Sequence, residues 1–225
     1  MNKTAIITGA GKGVGKEIAD LLIKDGYNLG LISRNISKSK FESNKNIILY
    51  ERDLIKLNEI GSLCQEIKND FNTIDILINN VGFNTRKTPF ENYGFEEYNN
   101  IIDLNLKVPF LMTQGIYPIM KKQKSGLIIN IVGAIASQCK ENWAPYASSK
   151  AGLLAFSKVL SKEAQSYGIK VTSILPGGIN TGFREEEKPE YLSPREVAEM
   201  IHTIIKAPQN LVYHEITIIP KIEKI

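Results

Sequence analysis

The 225-residue sequence is poor in the residues that form disulfides and metal sites. It has two cysteines, Cys64 and Cys139, which lie far apart and form no CxxC motif. Its two histidines, His202 and His214, stand alone in the sequence. We therefore predict no disulfide and no metal site, and we expect a protein of the reducing cytoplasm.

Long apolar runs are also missing, and the densest run of bases, Lys121, Lys122 and Lys124, is typical of a solvated helix face. No apolar stretch approaches the ~18 residues that a membrane span requires, so we expect no association with a membrane. The net charge of +4 is spread along the chain without a basic stripe interleaved with aromatic residues, which argues against nucleic-acid binding. Hydrophobic residues make up 43% of the sequence, enough for the core of one domain over residues 1–225.

What the sequence does contain is a regular alternation of short apolar runs and longer amphipathic stretches. The predicted strands are residues 5–8, 29–33, 47–50, 74–79, 127–132, 171–175 and 215–219. They lack period-two alternation, which is typical of strands buried on both faces of a parallel sheet. The predicted helices are residues 14–24, 54–70, 95–123, 146–167 and 193–206. This order predicts an α/β fold of the Rossmann type, with a doubly wound, mainly parallel seven-stranded sheet and helices on both faces.

Three of these helices carry more specific expectations. The stretch 95–123 is predicted as one helix or two, interrupted near Pro109 and Pro118. The last helix is expected to open with Ser193 as N-cap and Pro194 at its first position. In the helix 146–167, the residues expected to face the core are Ala151, Leu154, Ala155 and Val159.

The loop after the first strand is rich in glycine. It reads Thr8-Gly9-Ala10-Gly11-Lys12-Gly13-Val14-Gly15. Glycine lets a phosphate approach the backbone, and the helix that follows presents unpaired N–H groups and the positive end of its dipole. A plain turn into a helix is the alternative, but the density of glycines and the position directly after the first strand favour a dinucleotide site.

The spacing Thr-Gly-x-x-x-Gly-x-Gly resembles the cofactor loop of the short-chain dehydrogenase/reductase family. Further elements follow in that family's order: Asp53-Leu54, Asn79-Asn80-Val81-Gly82, Asn105, Tyr146-Ala147-Ser148-Ser149-Lys150, and Pro176-Gly177 with Thr181. Any one of these is common by chance, whereas six in order, across essentially the whole chain, are not. The resemblance implies a nicotinamide cofactor and the reversible reduction of a carbonyl, with the ligands of the cofactor among these motifs.

The resemblance also assigns roles to individual residues. The cofactor would be bound by Gly9, Lys12, Gly13, Val14, Gly15, Ser33, Arg34, Asp53, Leu54, Asn80, Gly82, Tyr146, Lys150, Pro176, Gly177, Ile179 and Thr181. Tyr146 would exchange the proton with the substrate, while Lys150 holds the nicotinamide ribose and Asn105 anchors a water that links Lys150 to solvent. A phenol has a pKa of about 10, and an ammonium on the same helix face lowers it towards neutral pH.

The second strand ends with the residues that bear on cofactor choice. NAD-binding proteins with this type of sheet have an acidic residue there, which binds the ribose 2′-hydroxyl. This chain has Ser33 followed by Arg34 instead. A guanidinium is suited to a 2′-phosphate, and Lys12 adds a second base in the glycine loop. Both bases could also be ordinary surface charges. We predict NADPH as the cofactor, with NADH less favoured.

One departure from the family's pattern concerns its catalytic serine, which lies thirteen residues before the tyrosine. That position is Gly133 in this chain. The missing hydroxyl could be replaced by Ser137, by the substrate or by a water. Alternatively, the protein is a dinucleotide-binding regulatory or scaffold protein with weakened catalysis. Because Asn105, Tyr146 and Lys150 are present, we predict an active enzyme.

Partners are expected from the resemblance alone. The substrate would be a small carbonyl or alcohol that contacts residues 83–89, residues 134–143 and the segment after Thr181. The family usually forms homodimers or homotetramers through the helices predicted here as 95–123 and 146–167. Ala147, Ala151 and Ala155 would let two such helices approach closely.

Overall fold

A seven-stranded parallel sheet forms the centre of the molecule. The computed structural model describes residues 2–36, 41, 45–181 and 188–223. The strands are β1 (Thr4–Thr8), β2 (Asn28–Ser33), β3 (Ile47–Glu51), β4 (Ile76–Asn79), β5 (Gly126–Ile131), β6 (Ile169–Pro176) and β7 (Glu215–Ile218). Their order is β3-β2-β1-β4-β5-β6-β7, and every neighbouring pair is parallel. The predicted fold class is confirmed.

Among the described residues, seven α-helices lie between the strands. They are α1 (Gly13–Lys24), α2 (Ile60–Asp70), α3 (Phe95–Ile102), α4 (Val108–Gln123), α5 (Ile135–Gln138), α6 (Ala144–Ala164) and α7 (Pro194–Ile205). Strands β2 and β3 are added on one side of β1, and β4 to β7 are added on the other side. The loops after β1 and β4 therefore lead to opposite faces of the sheet, and a crevice opens between them. That crevice is where a ligand of a doubly wound sheet is expected.

The core lies on both faces of the sheet. Alternate side chains of β1 enter opposite layers: Ala5 and Ile7 pack with α1 and α7, and Ile6 packs with α2 and α4. All five residues of β1 are buried, because both of its faces are covered. This double burial accounts for the missing period-two alternation in the sequence.

The second helix starts later than predicted. The expected helix 54–70 begins at Ile60, after a 3₁₀ turn at Leu57–Glu59. The Asp53 carboxylate accepts a hydrogen bond from the Ile55 amide at 3.4 Å, and the Asp53 carbonyl accepts one from the Lys56 amide at 3.1 Å. Such bonds favour a turn over a helix, so Asp53 and Leu54 belong to the loop after β3.

The long stretch 95–123 has one irregular turn rather than a break. The chain passes from α3 through a π-helical turn at Asp103–Lys107 into α4. Pro109 has no amide hydrogen to donate to the Asn105 carbonyl, which favours a wider turn at this point. Pro118 lies inside α4 without ending it, so the interruption predicted near Pro118 is wrong.

The buried face of α6 differs from the predicted one. Leu154 is buried as expected, but Ala155 is exposed and 57% of the Val159 surface is accessible. The residues that face the core include Ser149, Lys150 and Ser157. The buried face combines these polar residues with Leu153 and Leu160, so the expected burial of Ala155 and Val159 is wrong.

No α-helix in the described part of the chain is both long and apolar enough to cross a lipid bilayer.

The start of α7 is closed by a reciprocal capping arrangement. The Ser193 hydroxyl accepts from the Glu196 amide, and the Glu196 carboxylate accepts from the Ser193 amide at 2.6 Å. Ser193 is thus the N-cap and Pro194 the first helical residue, as predicted. These bonds satisfy amide groups that the first turn of the helix leaves without partners.

Removing this cap tests its contribution to stability. We expect Ser193→Ala to lower the free energy of unfolding by about 1 kcal/mol, because the amides of the first turn lose their acceptor. Urea denaturation followed by circular dichroism measures the change. As a control, Ser62→Ala removes an exposed helical serine and should stay within about 0.5 kcal/mol of wild type. Equal values for the two variants would show that the cap contributes nothing.

Candidate active site

The glycine loop after β1 packs tightly against the loop after β4. A Cβ atom at Gly15 would overlap the Gly9 carbonyl oxygen and would lie 2.5 Å from the side-chain nitrogen of Asn80. The Asn80 side chain donates to the carbonyl oxygens of Thr8 and Gly9 at 3.0 and 3.1 Å. Gly15 is therefore required by the close approach of these two loops, with Val14 buried beside it.

Thr8 completes the junction between the two loops. Its hydroxyl oxygen accepts hydrogen bonds from the amides of Asn80 and Val81 at 3.0 and 3.1 Å, and the hydroxyl donates to the Ile78 carbonyl at 3.3 Å. Sequence reasoning misses this role of Thr8, although a hydroxyl residue that ends an apolar run directly before the glycines is a signal in the sequence. Thr8 is fully buried.

The residues expected to bind the adenosine end of the cofactor lie around the ends of β1, β2 and β3. A Cβ at Gly11 would be 2.7 Å from the Ser33 hydroxyl oxygen, so the glycine loop touches the end of β2. Lys12 at the N-cap of α1 and Arg34 directly after β2 are both exposed. The Arg52 amide donates to the Ser33 carbonyl at 3.1 Å, which brings the loop with Asp53 and Leu54 to the same edge.

The segment after β6 reaches back over the glycine loop. A Cβ at Gly13 would lie 3.3 Å from the Thr181 methyl carbon. Ile179 forms a bridge with Leu192, and the Asn180 amide donates to the Leu192 carbonyl at 2.8 Å. The structure thus brings Thr181 beside the start of α1. Residues 182–187, where part of the predicted substrate contact lies, are outside the described residues.

Lys150 is the most deeply buried charged group of the site. Its side chain on α6 is 3% exposed, and its ammonium donates to the Ile131 carbonyl at the end of β5 at 3.0 Å. Nζ lies 5.9 Å from the centre of the Tyr146 ring. Burial lowers the pKa of Lys150 to about 8, because the charged form loses its hydration.

Asn105 links the π turn to the loop after β4. Its side-chain oxygen accepts from the Phe83 amide at 2.8 Å, and its side-chain nitrogen donates to the Phe83 carbonyl at 2.7 Å. The same nitrogen donates to the Ser149 hydroxyl at 3.1 Å. A Cβ at Gly82 would lie 3.5 Å from the Asn105 side-chain oxygen and 3.7 Å from Lys150 Nζ. The structure therefore brings Asn105, Gly82 and Lys150 together.

Position 133 faces the tyrosine. A Cβ at Gly133 would lie 3.9 Å from the Tyr146 hydroxyl oxygen and 3.9 Å from the Pro176 carbonyl oxygen. Gly133 itself has φ of 103°, a region that side chains disfavour. Ser137, the candidate replacement donor, is exposed on α5, and its hydroxyl donates to the Ala134 carbonyl at 3.1 Å.

A buried amide network holds α6 on the sheet. The Asn79 side chain donates to the Asn130 side-chain oxygen at 2.8 Å and to the Thr113 hydroxyl at 3.1 Å. Asn130 in turn donates to the Ser157 hydroxyl on α6 at 2.8 Å. These bonds connect β4, β5, α4 and α6 directly beneath the tyrosine and lysine, and sequence reasoning had assigned none of them a role.

Glu223 is a second residue that sequence reasoning missed. It follows β7, and its carboxylate accepts from the Gly178 amide at 3.1 Å, while a Cβ at Gly177 would lie 2.6 Å from the other carboxylate oxygen. That oxygen lies 3.8 Å from the Lys140 ammonium on the segment between α5 and α6. No sequence motif predicts this contact, because Glu223 is 45 residues from Gly178 along the chain.

Two of the three segments expected to contact the substrate, residues 83–89 and 134–143, are joined to each other. The Asn142 carbonyl accepts from the Tyr93 hydroxyl at 2.9 Å and from the Thr88 amide at 3.3 Å. Trp143, the next residue, packs against the Tyr146 ring with centroids 5.8 Å apart. The loop after β4 therefore helps to position the start of α6, where Tyr146 lies.

The described residues contain no cluster of three or more histidine, cysteine, aspartate or glutamate side chains able to hold a metal. Cys64 is buried and Cys139 is exposed, and both are free. His202 contacts the Asp25 carboxylate at 2.7 Å and His214 contacts the Ser161 hydroxyl at 3.3 Å.

Comparison with known proteins places this site in a family. The model of the short chain dehydrogenases matches residues 3–192. An uncharacterised oxidoreductase of Staphylococcus aureus is 30% identical over 226 residues, covering 97% of each chain. The 3-oxoacyl-[acyl-carrier-protein] reductase of Staphylococcus epidermidis is 32% identical over 187 residues, covering 80% of this chain and 76% of the reductase.

Solved structures agree with this placement at the level of the fold. The alcohol dehydrogenase of the archaeon Thermococcus sibiricus, complexed with 5-hydroxy-NADP, superposes with a TM-score of 0.91 at 22% identity. The match covers 100% of this chain and 99% of the archaeal one. From the family match, the sequence relatives and the site geometry together, the chain belongs to the short-chain dehydrogenase family and is an oxidoreductase of that family.

Proposed function

We propose that the protein is an NADPH-dependent oxidoreductase that interconverts a carbonyl and an alcohol. The observation that carries this proposal is the buried Lys150 ammonium beside Tyr146, at the edge of the sheet where the glycine loop lies. A buried ammonium is costly to keep, and perturbed groups of this kind concentrate at functional sites.

The residues around the glycine loop fit a dinucleotide phosphate. The loop lacks side chains where the backbone must approach a ligand, and α1 follows it with no acidic residue in its first turn. Ser33, Arg34 and Lys12 leave the end of β2 without a carboxylate to repel a 2′-phosphate. The Thermococcus relative was solved with an NADP derivative. Ile179, Thr181 and the Lys150 ammonium would hold the nicotinamide end, and bound NADPH would supply the hydride.

Tyr146 is the group that exchanges the proton. As the carbonyl is reduced, negative charge develops on its oxygen, and a phenol positioned at that oxygen can deliver the proton. The Lys150 ammonium favours the phenolate that remains. Because burial lowers the pKa of Lys150 to about 8, this support weakens as the pH rises above that value.

Gly133 is the observation that favours a second candidate. Without the serine hydroxyl the site has one hydrogen-bond donor fewer, and loss of such a donor costs ~2.7–4 kcal/mol of transition-state stabilisation. A dinucleotide-binding regulatory or scaffold protein with weakened catalysis is therefore the alternative. The intact arrangement of Asn105, Tyr146 and Lys150 supports the enzyme.

We also propose a homo-oligomer in the cytoplasm. Phe110 on α4 and Phe156 on α6 pack with ring centres 5.5 Å apart, and Phe110 remains 44% exposed. Val159 on α6 is also exposed. An apolar surface on these two helices suits a second copy of the chain.

Replacing the tyrosine tests the proposed chemistry. We expect Tyr146→Phe to lower kcat for NADPH-dependent carbonyl reduction by about 10²- to 10⁴-fold, because the proton donor is lost. The NADPH affinity, measured by fluorescence titration, should change little. The matched control Tyr213→Phe should keep wild-type turnover. A Tyr146→Phe enzyme with normal kcat would rule out the proposed role.

Replacing the arginine tests the cofactor choice. We expect Arg34→Ala to raise the Kd of NADPH about 10- to 100-fold, because a charge-assisted hydrogen bond to the 2′-phosphate is lost. The Kd of NADH should stay the same. Arg52→Ala, which removes the exposed partner of Glu66, serves as the control and should leave both constants unchanged. Equal losses for NADPH and NADH would contradict the assignment of Arg34.

Glu223 gives a further test of the segment after β6. We expect Glu223→Ala to weaken NADPH binding by about 10-fold, because the Gly178 amide loses its acceptor and the segment through Thr181 loosens. Glu223→Gln keeps an amide oxygen for that bond and should bind NADPH nearly as wild type does. Isothermal titration calorimetry measures both. If the two variants bind equally well, the contact with Gly178 does not support the cofactor.

A further inference from the structure

The surroundings of Gly133 define a small space next to the reacting group. A Cβ there would have ordinary contacts only: Ile135 at 3.7 Å, and the Pro176 carbonyl and Tyr146 hydroxyl oxygens each at 3.9 Å. A carbon atom therefore fits at the Cβ position without collision. Because this chain has glycine, that volume is open to a group of the substrate.

The polar groups nearest this space are already committed to the protein. The Gly133 amide donates to the Ile174 carbonyl at 3.2 Å, and the Ala134 amide donates to the Pro176 carbonyl at 2.8 Å. The Ser137 hydroxyl donates to the Ala134 carbonyl. Rerouting either backbone amide would remove one of the hydrogen bonds that attach this segment to β6.

Two further side chains near the tyrosine already make hydrogen bonds. The Lys150 ammonium donates to the Ile131 carbonyl, and the Asn105 amide nitrogen donates to the Phe83 carbonyl and the Ser149 hydroxyl. Within residues 133–137 the only side-chain hydroxyl, that of Ser137, is already bonded, so a hydroxyl of the substrate can take the place of the family's serine beside the Tyr146 hydroxyl.

We propose that the site selects carbonyl substrates with a hydroxyl on the adjacent carbon, and vicinal diols in the reverse direction. This inference rests on the proposed oxidoreductase function. The substrate's hydroxymethyl group would occupy the volume beside Gly133, and its O–H would donate to the neighbouring carbonyl oxygen as negative charge develops there. The substrate would supply the donor that a serine would otherwise supply.

The reaction balances without a further reactant. The carbonyl carbon gains a hydride, its π electrons move to oxygen, and that oxygen takes the proton of Tyr146. The two-electron oxidation of NADPH is the other half, and the adjacent hydroxyl keeps its own proton.

The Pro176 carbonyl could compete for that hydroxyl, since it lies near the same point. It already accepts from the Ala134 amide, whereas the reacting oxygen becomes negatively charged. Hydrogen bonds to charged acceptors are roughly twice as strong as those between neutral groups. The bond to the reacting oxygen therefore strengthens in the transition state, where it increases the rate.

Matched ketones test the inference on the wild-type enzyme. Hydroxyacetone, methoxyacetone and butanone have similar size, and 2-hydroxyacetophenone, 2-methoxyacetophenone and propiophenone form a larger set. We expect kcat/KM with NADPH to be on the order of 10²-fold higher for the hydroxy ketone in at least one set, as for one oxyanion donor. The methoxy ketone keeps the inductive effect of the oxygen but cannot donate, so it should behave like the plain ketone.

A variant then locates the effect. Gly133→Ser restores a hydroxyl and fills the space, so the preference for the hydroxy ketone should fall at least tenfold. Gly61→Ser, at an exposed helical position with open space around it, should keep the wild-type preference. Because φ of 103° disfavours serine, circular dichroism and NADPH titration confirm that the variant is folded.

The outcomes separate the inference from the proposed function. Turnover of the ketones with equal kcat/KM for hydroxy and methoxy compounds would overturn the substrate class alone. An unchanged preference in folded Gly133→Ser would also overturn it. NADPH binding with no turnover of any ketone would overturn the proposed function, and the substrate class with it.

Discussion

The burial of one ammonium group is the constraint on which the rest of the site depends. Lys150 is 3% exposed, and a charge removed from water is destabilising unless polar groups replace its hydration. The Ile131 carbonyl does this directly, at the point where β5 ends and its carbonyl is available. The position of α6 on the sheet and the end of β5 at Ile131 together bring the ammonium to this carbonyl.

Two sets of buried hydrogen bonds keep those elements in place. Asn105 fixes the loop after β4 through both backbone groups of Phe83 and also reaches Ser149, the residue before Lys150. Below it, Asn79 and Asn130 tie β4 and β5 to Ser157, two turns further along α6. Buried polar groups that are paired in this way specify a single arrangement, because any shift leaves them unsatisfied. The helix that carries the lysine is therefore fixed by contacts at the adjacent residue and at a residue two turns further on.

How much of this could be predicted depended on whether the relevant contacts were local. The glycine loop, the Tyr146–Lys150 pair and the cap at Ser193 each lie within a few residues of sequence, so their spacing carried the information. The predicted strands were confirmed for the same reason, because a short apolar run indicates a buried strand from neighbouring residues alone. The start of α2 was wrong because the Asp53 turn competes with a helix at that point.

The face of α6 shows where apolar periodicity fails. Its buried side carries Ser149, Lys150 and Ser157 beside Leu153 and Leu160, and these polar groups bond to β5 and the π turn as well as to carbonyls of α6 itself. Likewise, the contact of Glu223 with Gly178 joins residues that only the sheet brings together. Neither could be inferred from propensity or spacing, because the partners are distant along the chain.

The sequence by itself determined the order of strands and helices, the family to which the chain belongs, and the identity of the residue at position 133. Each of these follows from residue types at short or regular spacings. Only the tertiary structure decided that Gly133 faces the Tyr146 hydroxyl, that nearby amides are already bonded, and that Asn105 and Lys150 meet beside Gly82. The reason is physical: distances between residues far apart in sequence are set by the packing of the sheet and its helices.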